Sequence, residues 1–273
     1  MFENYAEFKE HLDTAVKTQG NQGAVALAES LDGLAEAMFN AEPAGNYLTL
    51  TRVDKGDSDS AEIYFEYLGR EGIDPDVNME YSLNGGPWTQ MVIGHQGNDS
   101  TRITMFEEDS VRFRGTNNSL YGNRHYTHLF LAWNTVAQYS ITGDITSLLN
   151  KVGGDVALPA NCFRSLFSGD HLVGEGPNLP STVLSSECYN SMFSNQQIES
   201  YHVATLNDSA NIFKNNSACT SLTIDAETPP TIGSDTITGL KADCAIYVPA
   251  ASVDAYKAAQ YWSARADYIQ AKP

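Results

Sequence analysis

Positive charge is scarce in this sequence: 16 Lys and Arg stand against 34 Asp and Glu, a formal net charge of −18 over 273 residues. Such a surface repels phosphate, so recognition of nucleic acid through a basic patch is excluded. Cysteine is sparse too, at Cys162, Cys188, Cys219 and Cys244. None forms a CxxC pair and no zinc-finger spacing accompanies them, so no metal is expected. No apolar run approaches the ~18 residues that span a bilayer, and no membrane is expected as a partner. The opening residues MFENYAEFKEHLDTAVKTQG carry Glu3, Glu7, Glu10 and Asp13. They lack the apolar stretch of a secretory signal, and the expectation is a chain made in the cytoplasm without export.

Catalytic signatures are missing as well. No G-x-S-x-G elbow, Walker loop, dinucleotide fingerprint or HExxH is present. Neither cofactor nor enzymatic activity is expected. The six histidines are scattered, and the one close pair, His125 and His128, lies on a predicted strand. Positions three apart on a strand face opposite sides, which argues against shared metal ligation. The acidic cluster Asp54, Asp57, Asp59 and Glu62 sits in a predicted loop. It reads as a calcium loop with oxygen ligands or as a solvated hairpin loop, and it lacks the EF-hand order.

What is present supports a folded, mainly β chain with short α segments. Hydrophobic residues make up 42% and aromatics 10%, enough for a core. Over residues 1–45, Tyr5, Phe8, Leu12 and Val16 recur at helical steps, and Gly20 to Gly23 breaks the run. Leu27, Leu31, Leu34 and Met38 then form about two heptads of an a/d seam. A helical hairpin packed on its neighbour and an anchor or oligomerisation element both fit this segment. Homo-oligomerisation, as a dimer or trimer, is expected.

Residues 46–140 alternate as strands. Predicted strands cover 47–51, 62–67, 79–83, 88–92, 110–114 and 128–133, and Asn84-Gly85 marks a hairpin. Short strands at this density predict a small, Ig-like β-sandwich. From Ile141 the chain repeats. Cys162, Phe163, Leu166, Phe167 and Ser168 match Cys188, Tyr189, Met192, Phe193 and Ser194, 26 residues on. A third, shortened copy runs through Asn211-Ile212-Phe213. Units that cannot bury their own apolar faces must stack, so the repeat cysteines should point inward as small fillers rather than pair. Tyr121, Tyr126, Tyr139 and Tyr201 are candidates for contact with glycans only by residue type, and core packing explains tyrosines more often.

These residues carry a resemblance. Cys-Phe-x-x-Leu-Phe-Ser at 162–168, Pro177-Asn178-Leu179-Pro180 and Cys-Tyr-x-x-Met-Phe-Ser at 188–194 look like BspA-type leucine-rich repeats of gut and oral Bacteroidetes and their phages. The ending Ala245-Ile246-Tyr247-Val248-Pro249, followed by Tyr256 and Trp262, is similar to the closing cap of such arrays. Residues 81–88, 111–115 and 139–149 resemble the small β-domain that often precedes them. The likeness spans 46–273 and implies a short solenoid with a cap over 141–273. Its implied role is surface display, on a bacterial envelope as an adhesin or on a phage virion as a head fibre, capsid decoration or tail appendage. With no export signal expected, the virion is the favoured setting. The implied partners are phage capsid or tail proteins and host-surface or mucus glycans.

Overall fold

The computed structural model describes residues 46–54, 58–68, 77–96, 98–122, 125–131, 137–169 and 171–273. The helical segment expected over 1–45 lies outside them. Residues 46–273 form one compact unit. It is mainly β with few short helices, its strands stacked in a β-solenoid-like arrangement.

In chain order the first strands are β1 (Leu48–Arg52), β2 (Ser60–Leu68), β3 (Met79–Leu83), β4 (Thr89–Gln90), β5 (Gly94–His95) and β6 (Ile103–Phe106). Then come β7 (Ser110–Gly115), β8 (Tyr121–Gly122), β9 (His125–Leu131) and β10 (Tyr139–Thr142), followed by the short helix α1 (Ser147–Asn150). The remaining strands are β11 (Leu172–Glu175), β12 (Gln197–Val203), β13 (Ser221–Ile224), β14 (Ala245–Val248) and β15 (Ile269–Ala271). Helix α2 (Val253–Ala258) lies between the last two.

Ten strands make one sheet in the order β15-β14-β13-β12-β11-β10-β1-β7-β3-β4, and the second sheet runs β5-β2-β9-β8 with β6 also on β2. Strand β10 is the seam. It pairs antiparallel with β1 and parallel with β11, and every later step to β15 is parallel. The sandwich expected over 46–140 is therefore not closed on itself: its first sheet continues into the repeats, and the division drawn at 140/141 falls inside β10.

Alternation explains the early strands. Leu48 and Leu50 of β1, Val111 and Phe113 of β7 and Tyr139 and Ile141 of β10 are buried. They meet Ile63 and Phe65 of β2 and Met105 of β6 across the sheets, with Phe65 edge-on to Phe113 at 5.0 Å. The Asn84-Gly85 hairpin is present, both residues at positive φ (50° and 74°), as a primed turn requires. Its second strand is shorter than the predicted 88–92. Met91 still donates to Met79 at 2.8 Å, and beyond it Val92 turns to Thr101, accepting at 2.9 Å and donating to the Thr101 hydroxyl at 2.8 Å.

The opposite wall of the repeats is built of turns rather than strands. Phe163, Ser165, Phe167 and Gly169 donate to the carbonyls of Cys188, Asn190, Met192 and Ser194, each 25 positions on. Ser191, Phe193 and Asn195 donate to Ala210, Ile212 and Lys214, each 19 positions on. Intervening N–H groups close turns within a rung, such as Leu166 to Phe163 and Met192 to Tyr189. The first offset gives the 26-residue match seen in the sequence, and the second registers the shortened third copy: Asn211, Ile212 and Phe213 stand where Ser191, Met192 and Phe193 do. The turns need a left-handed residue every fourth position, at Asn161 and Ser165, then Glu187, Ser191 and Asn195, then Asn211 and Asn215.

Both ends of this stack are covered. At the start, the first rung's free carbonyls are taken by the second sheet and its approach: Leu120 donates to Cys162 and Leu129 to Leu166. At the end, Tyr256 and Trp262 are wholly buried and pack edge-to-face at 5.1 Å. The Tyr256 hydroxyl donates to Ala226 and the Trp262 indole to Pro230, satisfying carbonyls of the preceding rung (2.8 and 3.0 Å). The cap does not end the sheet, because β15 adds one more parallel strand after it.

Candidate functional site, a polar sheet face

Strand alternation that buries one side of the ten-stranded sheet turns the other outward. The parallel part presents Gln270, Tyr247, Thr223 and His202 in one register row. Ala245, Ser221, Ser200 and Glu175 make the next row. Further outward rows cross the seam as Gln197, Val173, Ser140, Thr51 and Ser110, and as Thr142, Thr49 and Arg112, while Ser82 beyond Arg112 is buried. Short hydroxyl side chains dominate this face. They offer donors and acceptors at the ~4.8 Å strand spacing.

Charge gathers at its two ends. At one end Trp88 packs on Tyr47 (5.0 Å), with the Arg114 and Arg112 guanidinium groups 4.0 and 5.3 Å from its ring. Arg114 and Lys151 both pair with Glu80, at 2.7 and 2.9 Å. Partial burial pushes the Glu80 carboxyl up, but hydrogen bonds from Lys151 and Arg114 outweigh it and hold it below the usual carboxylate range. At the other end His202 and Lys272 converge on Asp225. There too the bonds from Lys272 and His202 outweigh burial and hold the carboxyl low.

The repeat residues expected to carry the solenoid are all interior. Cys162, Phe163, Leu166, Phe167, Cys188, Tyr189, Met192 and Phe193 are buried, and all four cysteines are free thiols. Phe163 stacks on Tyr189 at 6.3 Å, and Phe167, Phe193 and Phe213 form a column with 5.7 and 6.5 Å steps. Offset stacking of this kind adds ~0.5–1.5 kcal/mol per pair beyond burial. The anchor candidates Tyr5, Phe8, Leu12, Leu27, Leu31, Leu34 and Met38 lie outside the described residues, as do Asp57 and the side chains of His125 and Tyr126.

Two of the four tyrosines Tyr121, Tyr126, Tyr139 and Tyr201 are core residues, as packing favours. Tyr139 is fully buried and Tyr201 nearly so. Burial pushes the Tyr139 hydroxyl up to about 12, with the Arg52 charge opposing it weakly. Tyr201 packs on Phe193 and Phe213 and bonds Asn216. Aromatic residue type alone did not separate these from Tyr247, which strand parity places outward.

The acidic loop after β1 already holds a cation, and it is a side chain. Arg52 is fully buried. Its guanidinium donates to the carbonyls of Asp54 (3.1 Å), Asp59 (3.2 Å), Met105 (2.7 Å) and Ser58. No cluster of three or more His, Cys, Asp or Glu suited to a metal occurs among the described residues.

One arrangement has the look of hydrolytic machinery. His128 Nε2 lies 3.3 Å from Ser168 Oγ, and its Nδ1 lies 3.5 Å from Glu66 Oε1. Yet Nε2 is closer, at 2.9 Å, to the Ser168 carbonyl. A carbonyl only accepts, so Nε2 carries the proton and has no lone pair to take one from the serine. The His128 hydrogen bond to Ser168 fastens the second sheet to the first rung.

The chain matches no protein-family model, no curated protein and no solved structure.

Proposed function

We propose that this chain is a structural display protein of a bacteriophage virion, a head fibre, capsid decoration or tail appendage. Its repeat region is of the BspA-like leucine-rich type, with an Ig-like β-domain in front and residues 1–45 as helical anchor and oligomerisation element. The observation that carries the reading is the ten-stranded sheet's outward face. It joins the β-rich half to the stacked rungs in one polar, hydroxyl-rich surface, which suits adhesion to host-surface glycans better than turnover of a substrate. A net charge of −18 supports it further, since like-charged copies stay soluble at high local density.

Mass spectrometry of purified particles, with copy number, tests the virion assignment. Many copies per particle support decoration or a fibre and few copies a tail component, whereas absence from particles with presence on bacterial envelopes moves the protein to the cell-surface adhesin class. Adhesion is tested by glycan binding of the full chain against a Thr223→Arg, Thr49→Arg variant. Undiminished binding by that variant removes the sheet face from the proposal. Residues 46–273 alone should fail to load onto particles, and loading would refute the anchor.

A further inference from the structure

Cys219 and Cys244 are both buried fillers, but they also face each other. Their sulfurs are 3.7 Å apart and neither is in a disulfide. The fold accounts for the approach. Each cysteine closes the turn that feeds a strand, its N–H donating three residues back, to Asn216 and to Lys241 respectively. The strands they feed are parallel neighbours, with Ser221 opposite Ala245. The sulfurs are already in contact and need close only to the ~2.05 Å of a disulfide bond.

The two thiols are also unequal. They share one hydrogen bond of which either can be the donor, but the Arg265 charge acts on Cys244 and draws that thiol down, while burial pushes Cys219 up. Arg265 is fixed at this turn by bonds to the carbonyls of Lys241 (2.9 Å) and Ala242 (2.8 Å). A thiol beside a cation is the one that reacts first. Residues Lys241 to Asp243, leading into Cys244, are exposed, so a small opening of that turn admits a small oxidant.

We propose that Cys219 and Cys244 are an oxidation site that closes to a disulfide when the protein meets a hydroperoxide, cross-linking the closing rungs of the solenoid. This does not rest on the adhesion reading. The Cys244 thiolate attacks one peroxide oxygen, the O–O bond breaks, and the departing hydroxide takes up the thiol proton as water. The resulting sulfenic acid is attacked at sulfur by Cys219. The S–S bond forms, the S–O bond breaks, and the second hydroxide leaves as water with the Cys219 proton. Two thiols are oxidised and one peroxide is reduced to two waters.

The test treats the native full-length chain with hydrogen peroxide, then denatures it, alkylates free thiols and maps peptides. The expected result is a Cys219–Cys244 cross-link, a mass loss of two hydrogens, alkylated Cys162 and Cys188, and a thermal midpoint that rises and returns on reduction. In Cys219→Ala the reaction should halt at a dimedone-reactive sulfenic acid on Cys244. Four alkylated thiols, a Cys162–Cys188 link, or sulfinic acid at Cys244 in the native sequence overturns the proposal. If Cys219→Ala does not fold, the native cross-link map decides alone.

Discussion

Replacing Arg52 with methionine keeps most of the side-chain volume and removes the cation on which the loop after β1 converges. Four carbonyls lose their donor: Asp54, Ser58, Asp59 and Met105. The bond to Met105 is buried and that carbonyl gains no water, which costs about 1–3 kcal/mol. The loop carbonyls are partly exposed and recover hydration, so each contributes about 0.5–1 kcal/mol. The total is about 2.5–6 kcal/mol, a large share of the ~5–15 kcal/mol that holds a domain. Arg52→Lys keeps the charge but not the planar fork, so it should fall between the methionine variant and the parent. Urea unfolding checks this through the midpoint at unchanged slope. A methionine variant within about 1 kcal/mol of the parent would refute the claim that the guanidinium organises this loop.

Phe193→Ala removes the middle of the aromatic column between Phe167 and Phe213, and a loss of about 3–5 kcal/mol is expected in the same unfolding assay. Phe193→Leu should lose distinctly less. Ser165 holds a left-handed conformation (φ 54°); Ser165→Asn should stabilise by about 0.5 kcal/mol and Ser165→Val destabilise by about 1–2 kcal/mol, read as opposite shifts of the thermal midpoint. Glu80 and Asp225 are held below their ordinary values of 4.5 and 3.8. Their stabilisation is thus complete above those values and is lost as pH falls through the folded-state ones. Stability measured from pH 6 to about pH 3 should drop less in Glu80→Gln than in the parent, and equal slopes would contradict the assignment.

Local pattern was enough for much of this fold. Leu48, Leu50, Val111 and Phe113 announce strands because a two-residue period is a property of the segment alone. The matched Cys, aromatic, Leu or Met and Phe positions at 162–167 and 188–193 announce stacking, because neither copy can cover its own apolar side. The same period held an unused signal: Arg52 continues the inward series Leu48, Leu50, and so stood on the core side beside a loop rich in acidic residues. The third rung was harder to register, since its offset shortens from 26 to 20 residues and Ser209 takes the place of Tyr189, meeting that residue's N–H with its hydroxyl at 3.0 Å.

The sequence by itself determined the strand-rich class and the inward repeat residues, both consequences of where apolar side chains must go, while the aromatic cap was an expectation from resemblance. Only the tertiary structure decided that β10 joins antiparallel strands to a parallel ladder, because a strand's own pattern is blind to its partner's direction. It likewise decided which tyrosines are buried, that Arg52 bonds the carbonyls of the acidic loop, and that two cysteines 25 residues apart come within 3.7 Å. Those are contacts between distant segments, and they exist only once the rungs are stacked.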